Sequence, residues 1–125
     1  MKRIGLSVIA LFLLAAPALA QAVPAKVADT PKGKAWVDAK GMTLYIYDKD
    51  VAGKSNCYDK CATRWPPFMA AADAKDSGEW SLVKRTDGAM QWAYKGKPLY
   101  TWEKDMAPGD VTGEGVNNVW WIAVP

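Results

Sequence analysis

The chain has 125 residues, with 16 Lys and Arg against 13 Asp and Glu, and it has no histidine. That removes the usual general base, the commonest metal ligand and the side chain that titrates near neutrality. Without Lys2 and Arg3, which belong to the leader described next, 14 basic residues face 13 acidic ones, too even a balance for the footprint of a nucleic-acid binder.

Met1-Lys2-Arg3 is a short basic start, Ile4 to Ala16 is an almost unbroken apolar run, and Pro17-Ala18-Leu19-Ala20 ends in small residues. This is the pattern of a secretory signal peptide over 1–20, cleaved after Ala20. The apolar run falls short of the ~20 residues of a spanning helix. Gln21 follows the cleavage point and the first cysteine is Cys57, so no lipid anchor is visible; no later segment reads as a membrane span. The expected location is therefore periplasmic or secreted. About 105 residues remain, enough for one small domain. All seven tryptophans and five tyrosines lie in that part, and rings burying roughly 150–250 Å² each can build a core at this size.

Residues 21–34 mix Pro, Gly, Ala and Lys without periodicity and read as a flexible leader. The domain is expected over 35–125. Its organising feature is an internal repeat: Lys40–Asp50 (KGMTLYIYDKD) matches Lys95–Asp105 (KGKPLYTWEKD) without a gap, 55 residues on. Such a repeat implies two copies of one supersecondary unit. In the first copy, with its core at 35–50, Ala35–Asp38 leads into a turn at Ala39-Lys40-Gly41 and Met42–Tyr47 returns. In the second, with its core at 90–105, Met90–Tyr94 leads into Lys95-Gly96 and Pro98–Glu103 returns. Glycine sits in each turn because a tight turn often needs positive φ. A further hairpin runs from Trp80–Arg85 through Asp87-Gly88 to Ala89–Tyr94, and Asn118–Val124 reads as a last strand. Ser55–Thr63 suggests one helical turn, and Met69–Glu79 either a short helix or a loop. The fold class is all-β: a small antiparallel domain of two pseudo-symmetric hairpin repeats, with a cysteine-containing loop or short helix between them.

Alternation along a strand places Leu44, Ile46, Asp48 and Asp50 on one face and Tyr45, Tyr47 and Lys49 on the other. Leu99, Thr101, Glu103 and Asp105, against Tyr100, Trp102 and Lys104, repeat the division. Both faces carry apolar groups, so these strands are expected to be central. The aromatic stripe suits a plain core or, with its polar tips, the lining of a groove for a sugar or an apolar ligand. The acids suit turn capping, general acid–base work or a hard cation. The candidate ligand-binding set is therefore Tyr45, Tyr47, Tyr100, Trp102, Asp48, Asp50, Glu103 and Asp105. Asp48–Asp59 opens like a calcium loop, but Ala52 offers no oxygen at its fifth position, so no metal site is expected. Cys57 and Cys61, four apart in an oxidising compartment, are expected to form a disulfide. The other use of the pair is redox or copper(I) chemistry. Trp65-Pro66-Pro67 must be extended; it suits an exposed proline-rich ledge or, the favoured reading, a segment whose Trp65 plugs the core beneath the cysteine loop.

Tyr45-Ile46-Tyr47-Asp48-Lys49-Asp50 and Tyr100-Thr101-Trp102-Glu103-Lys104-Asp105 both fit the motif Yx(F/W/Y)xxD. Ser55–Ala62 with Trp65-Pro66-Pro67, Arg85–Gly88, Gln91–Tyr100 and Pro108-Gly109-Asp110 complete a pattern, over about 35–125, that resembles the bacterial secreted lipoprotein-repeat family. The resemblance implies a secreted protein or lipoprotein of unknown function; this chain lacks the lipid-accepting cysteine of many relatives. The expectation is a non-enzymatic binding or structural module of the cell envelope, without catalytic residues or cofactor. Its partner would be an envelope ligand or protein, not nucleic acid. The alternative is a periplasmic redox or copper-handling protein using Cys57 and Cys61.

Overall fold

The computed structural model describes Gly5 and residues 23–125. Apart from Gly5, the expected signal peptide and its cleavage point lie outside the described residues. Among the described residues seven short strands make three small antiparallel sheets, with one five-residue helix. Strand β1 (Lys26–Thr30) pairs with β2 (Gly33–Val37), and β3 (Tyr45–Tyr47) pairs with β7 (Trp120–Ile122). Strands β4 (Trp80–Lys84), β5 (Met90–Tyr94) and β6 (Lys97–Pro98) form the third sheet in that order. Helix α1 (Lys60–Arg64) carries the second cysteine, and a 3-10 turn spans Val116–Asn118. Residues 26–34, read from sequence as leader, are thus β1 and the start of β2. They have no helical or strand period because β1 is largely exposed and contributes few apolar anchors.

Both expected repeat hairpins are present. In the first, Asp38 Oδ1 accepts the amides of Lys40 and Met42 and so holds the longer turn before residues 42–44 fold back on β2. In the second, Lys95 and Gly96 both take positive φ (50° and 80°), the two-residue turn whose twist suits flanking strands. Met69–Glu79 contains no helix.

The two copies are interlocked. Tyr45 and Tyr100, 55 residues apart, exchange backbone bonds: Tyr45 N donates to Tyr100 O at 2.8 Å and Tyr100 N to Tyr45 O at 3.0 Å. A pseudo-twofold axis therefore passes between them. Each copy sends its final segment across this axis. In one, Trp36 N donates to Ala123 O and Ala123 N to Leu44 O; in the other, Trp92 N donates to Phe68 O and Phe68 N to Leu99 O. In each copy the repeated strand is thus paired by the final segment of the other.

Alternation along residues 44–47 divides the core in two. Tyr45 joins Tyr100, Trp65, Trp102, Trp120, Cys57, Ala35 and Ile122 in one cluster; Leu44 joins Leu99, Trp80, Tyr94, Ala25 and Ala123 in the other. Both faces of these strands are covered, as expected of central strands.

Candidate functional site

Each copy's tyrosine is fastened by the other copy's aspartate. The Tyr45 hydroxyl donates to Asp105 Oδ2 at 2.6 Å, and the Tyr100 hydroxyl donates to Asp50 Oδ2 at 2.7 Å. The remaining carboxylate oxygens accept from the following loops. Asp105 Oδ1 takes the Thr112 amide and hydroxyl; Asp50 Oδ1 takes the Asn56 amide. Strict alternation would have put these aspartates on the opposite face from the tyrosines. A turn after each strand, with Asp50 N bonded to Tyr47 O and Asp105 N to Trp102 O, brings them round. Burial, reinforced by the carboxylate partner, raises both phenols above their ordinary value. Burial likewise lifts the Asp50 carboxyl, against opposing bonds from Tyr100 and Asn56 and the charge of Arg85.

Arg85 is buried and extends the Asp50 side of this network. Its guanidinium donates to Ser55 Oγ at 3.0 Å, Gln91 Oε1 at 2.8 Å and Cys57 O at 2.6 Å. Tyr100 spends its one hydroxyl hydrogen on Asp50, so Ser55, 2.6 Å away, donates to the Tyr100 oxygen. A buried cation and a carboxylate thus terminate one chain of hydrogen bonds.

These contacts place the eight candidate ligand-binding residues. Tyr45 and Tyr100 are fully buried and hold the two copies together. Asp50 and Asp105 serve the same joint. Asp48 accepts from Trp121 Nε1 at 2.8 Å. Glu103 is exposed beside the second turn. Tyr47 and Trp102, related by the pseudo-twofold, do reach a surface cleft of about 970 Å³.

The floor of that cleft is a ladder of four rings in the order Tyr47, Trp120, Trp65, Trp102. Successive centroids lie 4.2, 3.8 and 3.9 Å apart, and the central pair is inclined by only 2°. Trp65 and Trp120 are also 55 residues apart, so the pseudo-axis runs between them. Both faces of each central ring are used in stacking; what remains for a ligand is ring edge, the positive rim of the aromatic quadrupole. One wall is α1 and the other is the 3-10 turn, its counterpart in the second copy. Lys49, Lys60, Arg64 and Lys104 surround the cleft, and no acidic residue lines it. None of the four is in an ion pair among the described residues. Lys49 and Lys104 occupy matched positions two residues after Tyr47 and Trp102, and Lys104 Nζ lies 5.9 Å from the Trp102 ring centre.

Cys57 and Cys61 are joined in a disulfide, as expected, and it secures the loop before Trp65. Cys57 is fully buried, while Cys61 borders the cleft. Among the described residues no group of three or more His, Cys, Asp and Glu is placed to hold a metal ion. No described helix is long and apolar enough to cross a membrane.

The residues that sequence reasoning missed are Lys60, Arg64, Trp65 and Trp120 as a site, with Lys49 and Lys104. The signal was available: the 55-residue offset extends beyond Asp105 and relates Trp65 to Trp120. The loops between are too unlike in sequence to carry the eye that far.

A family model described as a secreted repeat of unknown function matches the chain twice, at residues 26–69 and 81–124. The chain belongs to this secreted-repeat family. Its two matches coincide with the two interlocked copies, and the first begins with β1, inside the segment read as leader. No curated protein and no solved structure matches the chain.

Proposed function

We propose that this secreted-repeat protein is a non-enzymatic binding module of the cell envelope, acting in the periplasm after cleavage behind Ala20, and that its ligand seat is the ring-floored cleft. The observation that carries this reading is the arrangement of that cleft. Four cations without carboxylate partners among the described residues surround a ring ladder, on a domain whose 14 basic and 13 acidic residues nearly balance. Concave sites with fixed aromatic floors and a few convergent charged groups are what ligand binding requires. The carboxylates that acid–base chemistry would need are largely engaged elsewhere: Asp50 and Asp105 hold the cross-copy tyrosines and Asp48 holds Trp121. The cysteine pair is committed to the disulfide that shapes one wall.

The test is a fluorescence titration of the purified mature protein with envelope glycans, lipid head groups and organic anions. A ligand in the cleft lies against Trp65, Trp102 and Trp120, and shifts or quenches their emission. No change with any member of that panel rejects a binding role for the cleft.

A further inference from the structure

The cleft carries a further inference about what it binds, which rests on the binding-module reading above. A neutral sugar or a nucleobase gains most from an exposed aromatic face. The two central rings have no face to offer, because Trp65 lies between Trp102 and Trp120, and Trp120 between Trp65 and Tyr47. Their edges and their indole N–H groups remain. Neither N–H donates to a protein acceptor among the described residues, and both rings border the cleft. Ring edges, N–H donors and four cations all favour negative charge. Asp59 and Glu103 are sequence neighbours of Lys60 and Lys104, but neither lines the cleft.

The charges are also placed with a pattern. The pseudo-twofold that exchanges Tyr47 with Trp102 also exchanges Lys49 with Lys104. The ladder steps of 4.2, 3.8 and 3.9 Å put its outer rings no more than about 12 Å apart. Lys60 and Arg64 lie one helical turn apart on α1 and line the same cleft. A single compact anion would engage only part of this set. The geometry points to an extended ligand with a negative group at each end, carboxylate or phosphate, lying along the ladder between Lys49 and Lys104.

The experiment uses the mature chain and four probes sharing one ten-carbon backbone: sebacate, decane bisphosphonate, decanoate and decanediol. Binding is followed by tryptophan emission and calorimetry, at low salt and at physiological salt. Sebacate, the bisphosphonate or both bind about ten-fold or more tightly than decanoate, equivalent to one extra good ionic contact, and decanediol binds least. Affinity falls with salt, since both ends of the ligand remain near solvent. Lys49→Ala and Lys104→Ala each remove most of the advantage of the doubly charged probe over decanoate, by similar factors, with melting temperature unchanged. The comparison of sebacate with the bisphosphonate assigns the head group. Decanediol or a neutral glycan binding as tightly as the dianions would overturn the inference and leave the binding-module reading standing. Dianion binding that both lysine variants leave intact also overturns it. No binding by any charged probe overturns the inference too, and the broader panel above then decides the parent reading independently.

Discussion

Tyr45 gives its hydroxyl hydrogen to Asp105, 60 residues away and in the other copy of the repeat, and receives the Gly113 amide in return at 3.2 Å. Tyr100 and Asp50 mirror the bond. The first and last residues of the Yx(F/W/Y)xxD motif are therefore partners across copies, never within one, and a lone copy would bury a phenol with no acceptor. Hydrogen bonds to charged groups contribute about 1.5–3 kcal/mol, so Tyr45→Phe should cost about 2 kcal/mol and leave the Gly113 amide short of a partner. In a double-mutant cycle with Asp105→Asn the two losses should be far from additive. Denaturant titration measures both. Additive losses, or a cost under about 0.5 kcal/mol, would remove the tyrosine–aspartate pair from the forces joining the copies.

At alkaline pH the same two tyrosines should govern stability. Burial raises both phenols above the unfolded value of ~10. The native state therefore retains two protons that the unfolded chain releases, and stability must fall as pH rises past that value. The contribution is complete below pH ~10 and is lost progressively on the way to the folded values. Tyrosinate absorbance should show the Tyr45 and Tyr100 phenols appearing only on unfolding. The Tyr45→Phe, Tyr100→Phe double variant should show a flatter alkaline limb. Ionisation of Tyr45 and Tyr100 in the native state near the unfolded value would contradict the burial argument.

Gly113 tests how tightly the ring cluster is packed. A Cβ at this position would lie 2.8 Å from two Tyr45 ring atoms and 2.9 Å from the Trp65 ring. Those atoms belong to rings fixed by stacking and by the Asp105 bond, so they cannot swing aside. Gly113→Ala should destabilise by about 1–3 kcal/mol, the usual cost of overpacking. On a domain of this size that lowers the melting temperature by at least about 4 °C per kcal/mol. A variant as stable as the parent would show the loop over Tyr45 to be looser than its contacts imply.

Much of this architecture was legible because the repeat is. Lys40–Asp50 against Lys95–Asp105 fixed two equivalent hairpins, and apolar groups on both faces of Leu44–Tyr47 marked a covered strand; both are present. β1 was not legible. Residues 26–30 are mostly exposed, and their order comes from pairing with β2, which leaves no hydrophobic period to read. The site was legible only in part. Tyr47 and Trp102 were candidates from their polar-tipped rings, but the cleft is made by their stacking on Trp65 and Trp120. Stacking between residues 55 apart depends on the exchange of final segments, and that crossing of copies follows from backbone pairing partners that side-chain patterns do not specify.

The disulfide offers the most direct perturbation of the ladder. Cys57 belongs to the ring cluster and its carbonyl accepts Arg85 at 2.6 Å, while Cys61 O accepts the Trp65 amide at 2.7 Å. The bond therefore connects the buried polar network to the residue at the centre of the stack. Closing so short a loop stabilises by only ~2 kcal/mol on the chain-entropy estimate. Replacing Cys57 and Cys61 together by Ala should lower the melting temperature by at least about 8 °C while leaving a folded domain. The larger change should be optical. Trp65 and Trp120, parallel at 3.8 Å, are close enough for their transitions to couple, and the resulting circular-dichroism couplet should weaken as the loop relaxes. Trp65→Phe, which removes one partner outright, sets the signal expected for complete loss. A couplet unchanged in the double-alanine variant would mean that strand pairing alone positions Trp65, and that the disulfide contributes stability without shaping the cleft.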